Sequence, residues 1–379
     1  MTLIYLVAGE ASGDALGARL MAALKARRPD VVFAGLGGER MAAAGLDSLF
    51  PIRDLAILGI LEVLPNLRRV LRRLDETAAD IAARRPAAVV TIDAPGFALP
   101  LAKRVRPLGV RAVHYVAPQV WAWRPGRVRQ VAARVDRLLA LLPFEAPFFE
   151  AAGVHVTFVG HPVLEAEPGD AARFRAAQGL DPGERPIVVM PGSRPGEVRR
   201  LLPVFAEALR LVAARVPNFK PVVPVAAPVA EAVRAAAAGW PGKPILVSAE
   251  GEKRDAFAAA EAGLIKSGTS SLELAVAGVP HVVGYRVNPM SAAIARRMIR
   301  VEYASLVNLL VDAPMVPERL QENCAPGPLA EALLGLLTDP AAAEAQRRGF
   351  AEALARLRPP SGTPSEAAAE AVLEVVGAG

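Results

Sequence analysis

Short apolar runs that alternate with helical stretches are the feature that most restricts the fold of this 379-residue chain. The runs form two series. The predicted strands are residues 3–8, 31–35, 88–92, 112–116, 137–141 and 156–159 in the first series, and 186–190, 220–225, 245–247, 262–265 and 280–285 in the second. Apolar strands that alternate with helices are typical of parallel sheets covered on both faces. The sequence therefore predicts an α/β fold.

A stretch rich in proline, glycine and charge, residues 160–185, separates the two series. We predict two Rossmann-like domains, residues 1–165 and 170–350, that face each other across a cleft. Residues 351–379 have the pattern of a helical tail, and the sequence leaves open whether this tail crosses back to the first domain or to another subunit. Ligands of such sheets bind beyond the carboxyl ends of the strands.

Composition narrows the class of protein. A chain with 53% hydrophobic residues is not expected to be disordered. Its single cysteine, Cys324, cannot form an internal disulfide, which suits a reducing cytoplasm. The first apolar run lacks a preceding basic region, and no uncharged stretch reaches the ~18 residues of a spanning helix. We expect a cytoplasmic protein that is soluble or bound to a membrane face.

The net charge of +6 has two explanations. A basic surplus favours anionic partners such as nucleic acid, phospholipid or a phosphorylated substrate. An arginine-rich composition of the kind that a GC-rich genome produces explains the surplus equally well. The charge alone therefore does not identify a ligand.

Both predicted domains open with a strand, a glycine turn and a helix, the arrangement that cradles phosphate in doubly wound folds. The first turn is GEASGD, residues 9–14, and its two carboxylates make it an awkward phosphate site because like charges repel. The second turn contains Gly192, Ser193 and Arg194. Glycine lets the backbone approach a ligand closely there, and arginine can donate two hydrogen bonds to one phosphate.

The segment KSGTSSLELAVAGVP, residues 266–280, is the strongest local signal. Gly268, Thr269 and Ser270 can begin a helix whose free N–H groups face a diphosphate. Glu273 follows one turn later, where a carboxylate can accept hydrogen bonds from both ribose hydroxyls. Ser270 and Glu273 also fit an ordinary capping box. That alternative does not account for two such turns in one domain.

Ten blocks, taken in order, are similar to one known family. They are AGEASGD (8–14), LAILGILEVL (55–64), TIDAPGF (91–97), HYVAPQVWAWRPGRV (114–128), LPFE (142–145), FVGHP (158–162), PGSR (191–194), KSGTSSLE (266–273), VVGYR (282–286) and SLVNLL (305–310). Together they resemble the bacterial lipid-A-disaccharide synthases. The resemblance implies the GT-B glycosyltransferase fold, with the nucleotide sugar in the second domain.

The resemblance also implies the reaction. The donor is UDP-2,3-diacylglucosamine and the acceptor is 2,3-diacylglucosamine 1-phosphate, called lipid X. The products are a β-1,6-linked disaccharide 1-phosphate and UDP. Inversion at the anomeric carbon needs a general base near the acceptor 6-hydroxyl, and cationic or N–H groups on the leaving diphosphate. The chain contains no Asp-x-Asp motif and no metal-ligand spacing of histidine or cysteine, so we expect no metal and no cofactor.

Asp93 is the expected base, because it follows the strand 88–92 in the family's IDAP sequence. An aspartate that caps the next helix is the alternative, and Pro95 is compatible with it. The chain departs from the family at Gly96, where a second acidic residue is common. This departure lowers any role for a carboxylate pair.

Further residues are assigned by the same resemblance. The donor-binding residues are Gly192, Ser193, Arg194, Gly268, Thr269, Ser270, Glu273 and Asn308; the residues of the acceptor side are Gly9, Glu10, Ser12, Gly13 and Asp14. Asn308 could equally be a buried structural residue. His114 and His161 have weaker claims, because a lone histidine near a strand is more often structural.

The lipid substrates imply contact with the cytoplasmic face of the inner membrane. We expect residues 55–74 to dock there as a peripheral element. The residues assigned to it are Leu58, Ile60, Leu61, Leu67, Arg68, Arg69, Val70, Leu71, Arg72 and Arg73. Leu67, Val70, Leu71 and Leu74 lie on one helical face and the arginines on the other. An ordinary amphipathic helix packed on its own sheet has the same pattern. Trp121 and Trp123, beside several arginines, could meet the sugar, an acyl chain or the acceptor phosphate; the alternative is that one of them belongs to the core.

Three other functions stay open. A sugar-nucleotide epimerase on the same fold would act on UDP-N-acetylglucosamine alone, although the apolar segment 55–64 argues against it. A non-catalytic lipid or nucleotide binder would not need Asp93. RNA binding ranks last, because the chain has no RNP-type motif and no continuous basic stripe, and we expect no nucleic-acid partner. The sequence does not determine the oligomeric state, and a homodimer is one option.

Overall fold

The computed structural model describes residues 1–55, 60–118, 128–288 and 302–377, with side chains from 67 onwards in the second of these ranges. The chain divides into two compact units. The first combines Met1–Glu165 with Leu357–Gly379, and the second is Ala166–Arg356. Each contains one six-stranded sheet in which every strand pair is parallel. The predicted α/β fold with two Rossmann-like units is confirmed.

The sheet of the first unit has the strand order β2-β1-β3-β4-β5-β6. Its strands are β1 Thr2–Ala8, β2 Val31–Leu36, β3 Ala88–Ile92, β4 Arg111–Tyr115, β5 Arg137–Ala140 and β6 Val156–Phe158. The helices between them are α1 Ala11–Arg27, α2 Glu39–Ala43, α3 Ile60–Arg84, α4 Pro95–Val105, α5 Val128–Ala132 and α6 Ala146–Glu150. Strand β3 is buried at every residue, which explains its unbroken apolar character.

The sheet of the second unit has the order β12-β11-β10-β7-β8-β9. Its strands are β7 Arg185–Met190, β8 Phe219–Pro224, β9 Ile245–Val247, β10 Ala262–Lys266, β11 His281–Tyr285 and β12 Glu318–Leu320. Its helices are α7 Ala171–Gln178, α8 Pro195–Ala213, α9 Ala230–Ala237, α10 Glu250–Ala259, α11 Ser270–Val276, α12 Leu306–Val311, α13 Pro326–Thr338 and α14 Pro340–Arg356. Helices α8 and α13 pack together over this sheet.

All the strands predicted from apolar runs are present, and their ends differ from the prediction by no more than about one residue. Strand β12 was missed. It consists of three residues, Glu-Arg-Leu, at the edge of the sheet. So short and polar a strand carries no apolar run, and its pairing with β11 is what defines it.

The last helix, α15 (Pro364–Gly377), belongs to the first unit. Position 351, where the tail was predicted to start, lies inside α14, and the chain enters the first unit at Leu357. Helix α15 packs against α1 and the strands β3 to β5, and its small buried side chains allow a close approach. Ser365 donates hydrogen bonds from N and Oγ to Glu165. The tail is therefore an integral layer of the first unit.

Each sheet has one point at which the strand order reverses. In the first unit the chain passes from β1 outward to β2 and then returns to β3 on the other side of β1. In the second unit it passes from β7 to β8 and β9 and returns to β10 on the other side of β7. Ligands of doubly wound sheets bind at such switch points, beyond the carboxyl ends of the strands. The loops after β1, β3, β7 and β10 are thus the places to look for a site.

Candidate active site

Asp93 lies in a strained turn at the switch point of the first sheet. Its N–H donates to Tyr115 O at 2.8 Å, which extends the ladder between β3 and β4 by one residue. Asp93 and Ala94 have φ angles of 53° and 42°, in the left-handed region that costs a residue other than glycine about 1 kcal/mol or more. Helix α4 begins immediately afterwards at Pro95. The N-cap of α4 is Ala94, so Asp93 is not the cap that the alternative required.

Two glycines of the turn GEASGD make room for this bend. A Cβ atom on Gly9 would lie 2.5 Å from Ala94 Cβ, and a Cβ on Gly13 would lie 3.2 Å from Ile92 O. Both distances are shorter than ordinary van der Waals contact. The register of β1 and β3, with Ala8 opposite Ile92, brings the two loops together. In this unit the glycines serve close packing around Asp93.

The polar residues of the same turn have different surroundings. The buried carboxylate of Asp14 accepts hydrogen bonds from the backbone N–H groups of Gly38, Arg40 and Met41 at 2.7 to 3.0 Å. The Asp14 carboxylate therefore holds the start of α2 through internal hydrogen bonds, and its role on the acceptor side of the cleft stays a prediction. Glu10 and Ser12 are exposed.

The switch point of the second sheet brings together the other two glycine turns. Strands β7 and β10 are neighbours, with Met190 opposite Ile265, so the loops that follow them lie side by side. Gly192 and Gly268 have φ angles of 116° and 154°, a conformation that other residues rarely adopt. Ser193 and Thr269 are exposed at this edge, and Ser270 is half-buried. The predicted donor residues of the two loops are thus close neighbours.

A cluster of three charged groups lies between these loops. Glu197 Oε1 is 3.2 Å from Lys266 Nζ and 3.3 Å from Arg194 Nη1. The Lys266 ammonium is also 5.5 Å from the centre of the Tyr285 ring, within the range of a cation–π contact. Burial raises the pKa of Tyr285, and the nearby Glu197 charge adds to the increase. Two cations therefore share one carboxylate at the switch point.

Glu273 is held by an ion pair and not by a capping box. Its Oε1 lies 2.8 Å from Lys253 Nζ, which comes from α10. The N-cap of α11 is Thr269, and no side chain makes the capping hydrogen bond. The capping-box alternative for Ser270 and Glu273 is therefore not what the structure contains.

A buried polar network supports the SGTSS loop from behind. Ser267 Oγ donates to Ala304 O at 2.6 Å. His281 Nδ1 lies 3.0 Å from the carbonyl of Val279, so Nδ1 carries the proton and Nε2 accepts from Ser271 Oγ at 2.7 Å. The oxygen of Ser271 is also 2.9 Å from Ser305 Oγ. These bonds connect α11 to β11 and to the start of α12.

Asn308 belongs to the same support. Its Nδ2 donates to Val316 O and to Glu318 Oε1, and its Oδ1 accepts from Val316 N. Glu318 also accepts from the N–H groups of Ala304 and Ser305. Because Asn308 is buried and its amide is occupied on both sides, it acts here on the shape of the loop.

Three of the four histidines are buried. Burial lowers the pKa of His114, His161 and His281 to about 4, so all three are neutral near pH 7. His114 Nδ1 pairs with Thr91 Oγ1 at 2.8 Å, and His161 Nδ1 accepts from Val163 N at 3.1 Å.

Helix α3 divides the predicted membrane residues into two groups. Val70 packs against the core of the first unit, and Arg73 pairs with Asp54 and Glu76 and lies over the Phe50 ring. These two residues are part of the fold. The side chains that remain at the surface are Leu67 and Leu71, at 43% and 41% exposure, with Arg68, Arg69 and Arg72. None of the described helices is long and apolar enough to cross a membrane.

Several predicted residues lie outside the described part of the chain. They are Leu58, the side chains of Ile60 and Leu61, and the aromatic residues Trp121 and Trp123. Their predicted contacts with membrane or acceptor stay predictions.

Solved structures define the class of protein first. The glycotransferase of kitacinnamycin superposes with a TM-score of 0.64 at 18% identity and covers 99% of both chains. UDP-GlcNAc 2-epimerase from Neisseria meningitidis, bound to UDP-GlcNAc, superposes with a TM-score of 0.66 at 10% identity over 100% of both chains. At such low identity the likeness shows the fold alone. The fold class is that of two-unit α/β proteins of GT-B type.

The sequence comparison then identifies the family. The profile of lipid-A-disaccharide synthetase matches residues 4–372. The chain is 50% identical to the lipid-A-disaccharide synthase of Granulibacter bethesdensis over 99% of each chain. It is 51% identical to that of Gluconobacter oxydans over 99% of this chain and 91% of the relative. The chain belongs to the lipid-A-disaccharide synthetase family, which confirms the resemblance and favours the transferase over the epimerase.

Sequence reasoning missed four charged residues of the site region. They are Glu197, Lys253, Lys266 and Glu318. Lys266 and Glu197 are close in sequence to the two glycine turns, so their position in the chain could have identified them as candidate site residues. Lys253 and Glu318 come from other elements, and only tertiary pairing brings them to the site.

Gly9→Ala tests the packing around Asp93. The added methyl group overlaps Ala94, so we expect a loss of about 1–3 kcal/mol of stability in urea unfolding. Gly96→Ala is the matched control, because a Cβ there meets nothing within 4 Å. Equal stability of the two variants would contradict the proposed close contact.

His281→Gln tests the buried network through pH. A histidine with a pKa of about 4 in the folded state binds fewer protons there than in the unfolded chain, so stability falls as pH drops from about 6.5 towards 4. We expect the variant to remove about 2 kcal/mol of the stability difference between about pH 7 and about pH 5, measured by urea unfolding. His155→Gln, at an exposed histidine, is the control for the replacement of a histidine by glutamine as such. An unaltered slope in His281→Gln would show that this imidazole takes up protons in the folded protein.

Proposed function

We propose that the chain is an inverting glycosyltransferase that makes the lipid A disaccharide. It transfers a 2,3-diacylglucosamine unit from UDP to the 6-hydroxyl of lipid X and gives the β-1,6-linked disaccharide 1-phosphate and UDP. The observation that carries this proposal is the family match over residues 4–372, which includes both switch-point loops. The names of the relatives at 50% and 51% identity support the same reaction.

The donor is assigned to the second unit. Arg194 is 70% exposed at the end of its loop, where its guanidinium can reach a diphosphate. The backbone of Gly192 and of Gly268 to Ser270 can approach the same group closely. Glu273 can accept hydrogen bonds from the ribose, with Lys253 holding its carboxylate in place. Asn308 contributes indirectly, through the buried hydrogen bonds that support the SGTSS loop.

The acceptor is assigned to the first unit, with Asp93 as general base. Asp93 removes the proton of the 6-hydroxyl while the oxygen attacks the anomeric carbon, and the bond to UDP breaks on the opposite face. One displacement of this kind inverts the configuration. The strained turn supports the assignment, since residues held in sparsely populated conformations cluster at functional sites. Glu10 and Ser12, exposed on the neighbouring turn, are proposed acceptor contacts.

The first measurement is UDP release from UDP-2,3-diacylglucosamine, with and without lipid X. We expect UDP and a tetraacyl disaccharide phosphate only when both substrates are present. Asp93→Asn keeps the size of the side chain but removes the base, and we expect kcat to fall by roughly 10²- to 10⁴-fold with UDP affinity unchanged.

The outcomes separate the competing functions. Turnover of UDP-N-acetylglucosamine without an acceptor would identify an epimerase. Full activity of Asp93→Asn would remove Asp93 from the chemistry. Binding of either lipid without any product would point to a non-catalytic binder.

The exposed residues of α3 are proposed to dock on the cytoplasmic face of the inner membrane. Leu67 and Leu71 can enter the interface, and Arg68, Arg69 and Arg72 can contact anionic headgroups. Such docking would place the enzyme where its acylated substrates reside. A homodimer remains a separate proposal about assembly.

Vesicle sedimentation tests the docking surface. Changing Arg68, Arg69 and Arg72 together to Ser removes about 1 kcal/mol of attraction per arginine, so the protein should move from the pellet of anionic vesicles to the supernatant. Arg73 is left unchanged because it is paired inside the fold. The control changes the exposed residues Arg106, Arg234 and Arg348 to Ser, which alters the net charge by the same amount. Equal sedimentation of both triple variants would exclude a specific docking role for α3.

A further inference from the structure

We propose that Lys266 is a diphosphate-binding cation of the donor site and that Glu197 is the residue that positions it. This inference rests on the proposed function, because it assumes that UDP binds at the switch point of the second sheet. Lys266 would supply a fixed positive charge to a donor site whose other proposed cation, Arg194, is largely exposed.

The location of Lys266 is the first argument. It is the last residue of β10, and its ammonium would lie 3.6 Å from a Cβ atom on Gly268. The ammonium therefore stands beside the backbone of one glycine turn. Glu197, at 3.2 Å, connects it to the other turn, because a Cβ on Gly192 would lie 2.8 Å from Glu197 Oε2. Only 19% of the Lys266 side chain is exposed, so its position is set by packing.

The charge balance is the second argument. Here Lys266 and Arg194 both approach Oε1 of Glu197, and Arg200 lies close to the start of the same helix, 3.4 Å from a Cβ atom on Gly196. Cations thus outnumber the carboxylate beside the carboxyl ends of the neighbouring strands β7 and β10. Such a surplus in a partly buried place favours a multiply charged anion as its partner.

The carboxylate itself is only half satisfied. Glu197 Oε2 is buried and makes no hydrogen bond to any residue in the described ranges. An uncompensated buried oxygen is costly, so its place beside the glycine turn is not explained by fold stability alone. The arrangement is consistent with a carboxylate whose task is to hold the ammonium at one point.

The two cations have different freedom. Arg194 is 70% exposed and contacts Glu197 at 3.3 Å, so it can turn towards a phosphate at little cost. Lys266 is held by Glu197 and by the face of Tyr285. We infer that Lys266 provides the preorganised charge, which needs no rearrangement when the leaving diphosphate develops its negative charge.

Calorimetric titration with UDP and with uridine tests the assignment of Lys266. Lys266→Met should weaken UDP binding by roughly 10- to 100-fold, the loss expected for one charged hydrogen bond. Uridine has no phosphate, so its affinity should be unchanged. Local unfolding of the loop would weaken both ligands equally. The matched control is Lys220→Met, because Lys220 pairs with Glu184 at 2.9 Å, has 16% exposure and lies near the start of β8.

Two variants of Glu197 test the positioning role. Glu197→Gln keeps an oxygen that can accept from Lys266 but removes a negative charge near the diphosphate, so UDP should bind more tightly. Glu197→Ala removes the support of the ammonium, so UDP should bind more weakly. Uridine should respond to neither change. Opposite effects of the two variants are not expected from a residue that only stabilises the helix.

The proposal is overturned if Lys266→Met leaves UDP affinity intact or weakens UDP and uridine alike. It is also overturned, for Glu197, if both variants shift UDP affinity in the same direction. Failure of the wild-type protein to bind UDP would instead refute the donor site of the proposed function, and the inference with it. The wild-type titration therefore distinguishes the two failures.

Discussion

Both candidate sites depend on the reversal of strand order in a parallel sheet. Where the order reverses, the connections from two neighbouring strands leave in opposite directions, and their loops stay side by side at the carboxyl edge. In the first unit this brings GEASGD against the turn that contains Asp93. In the second it joins the PGSR loop to the SGTSS loop. The sheet topology thus places the candidate site residues at the carboxyl edges of the two sheets.

The two units use glycine for different physical purposes. Gly9 and Gly13 leave space for a backbone bend that contains two left-handed residues, and the nearby Asp14 is tied to backbone amides of the next loop. Gly192 and Gly268 have positive φ angles; Gly192 lies against the Glu197 carboxylate and Gly268 beside the Lys266 ammonium that this carboxylate pairs with. Similar strand–turn–helix sequences therefore have different surroundings: the glycines of the first turn pack against a neighbouring backbone bend, and those of the second unit lie beside the charged groups proposed to bind the diphosphate.

In the second unit, most of the buried residues that hold the SGTSS loop in place are neutral. Ser271 and His281 form a buried chain of hydrogen bonds, and Asn308 joins this layer through Glu318. Neutral hydrogen-bonding groups are favoured in this buried layer, because a buried charge is costly unless it is fully paired. Glu318 meets this requirement by accepting from the N–H groups of Ala304 and Ser305 as well as from Asn308. The loop that carries Gly268 is thereby held without placing a further free charge near it.

The sequence by itself determined the α/β class, eleven of the twelve strands in the described ranges, the two glycine turns and the family, because apolar runs and short motifs are local properties of the chain. It also placed Asp93 correctly at the end of β3. Only the tertiary structure assigned α15 to the first unit. It also showed that Val70 and Arg73 pack within the fold and do not belong to the exposed face of α3. The same holds for the internal hydrogen bonds of Asp14 and Asn308. The tertiary structure alone also paired Lys266 with Glu197. These facts depend on partners that are distant in sequence, and no local pattern records which distant group will satisfy a buried charge or cover an apolar face.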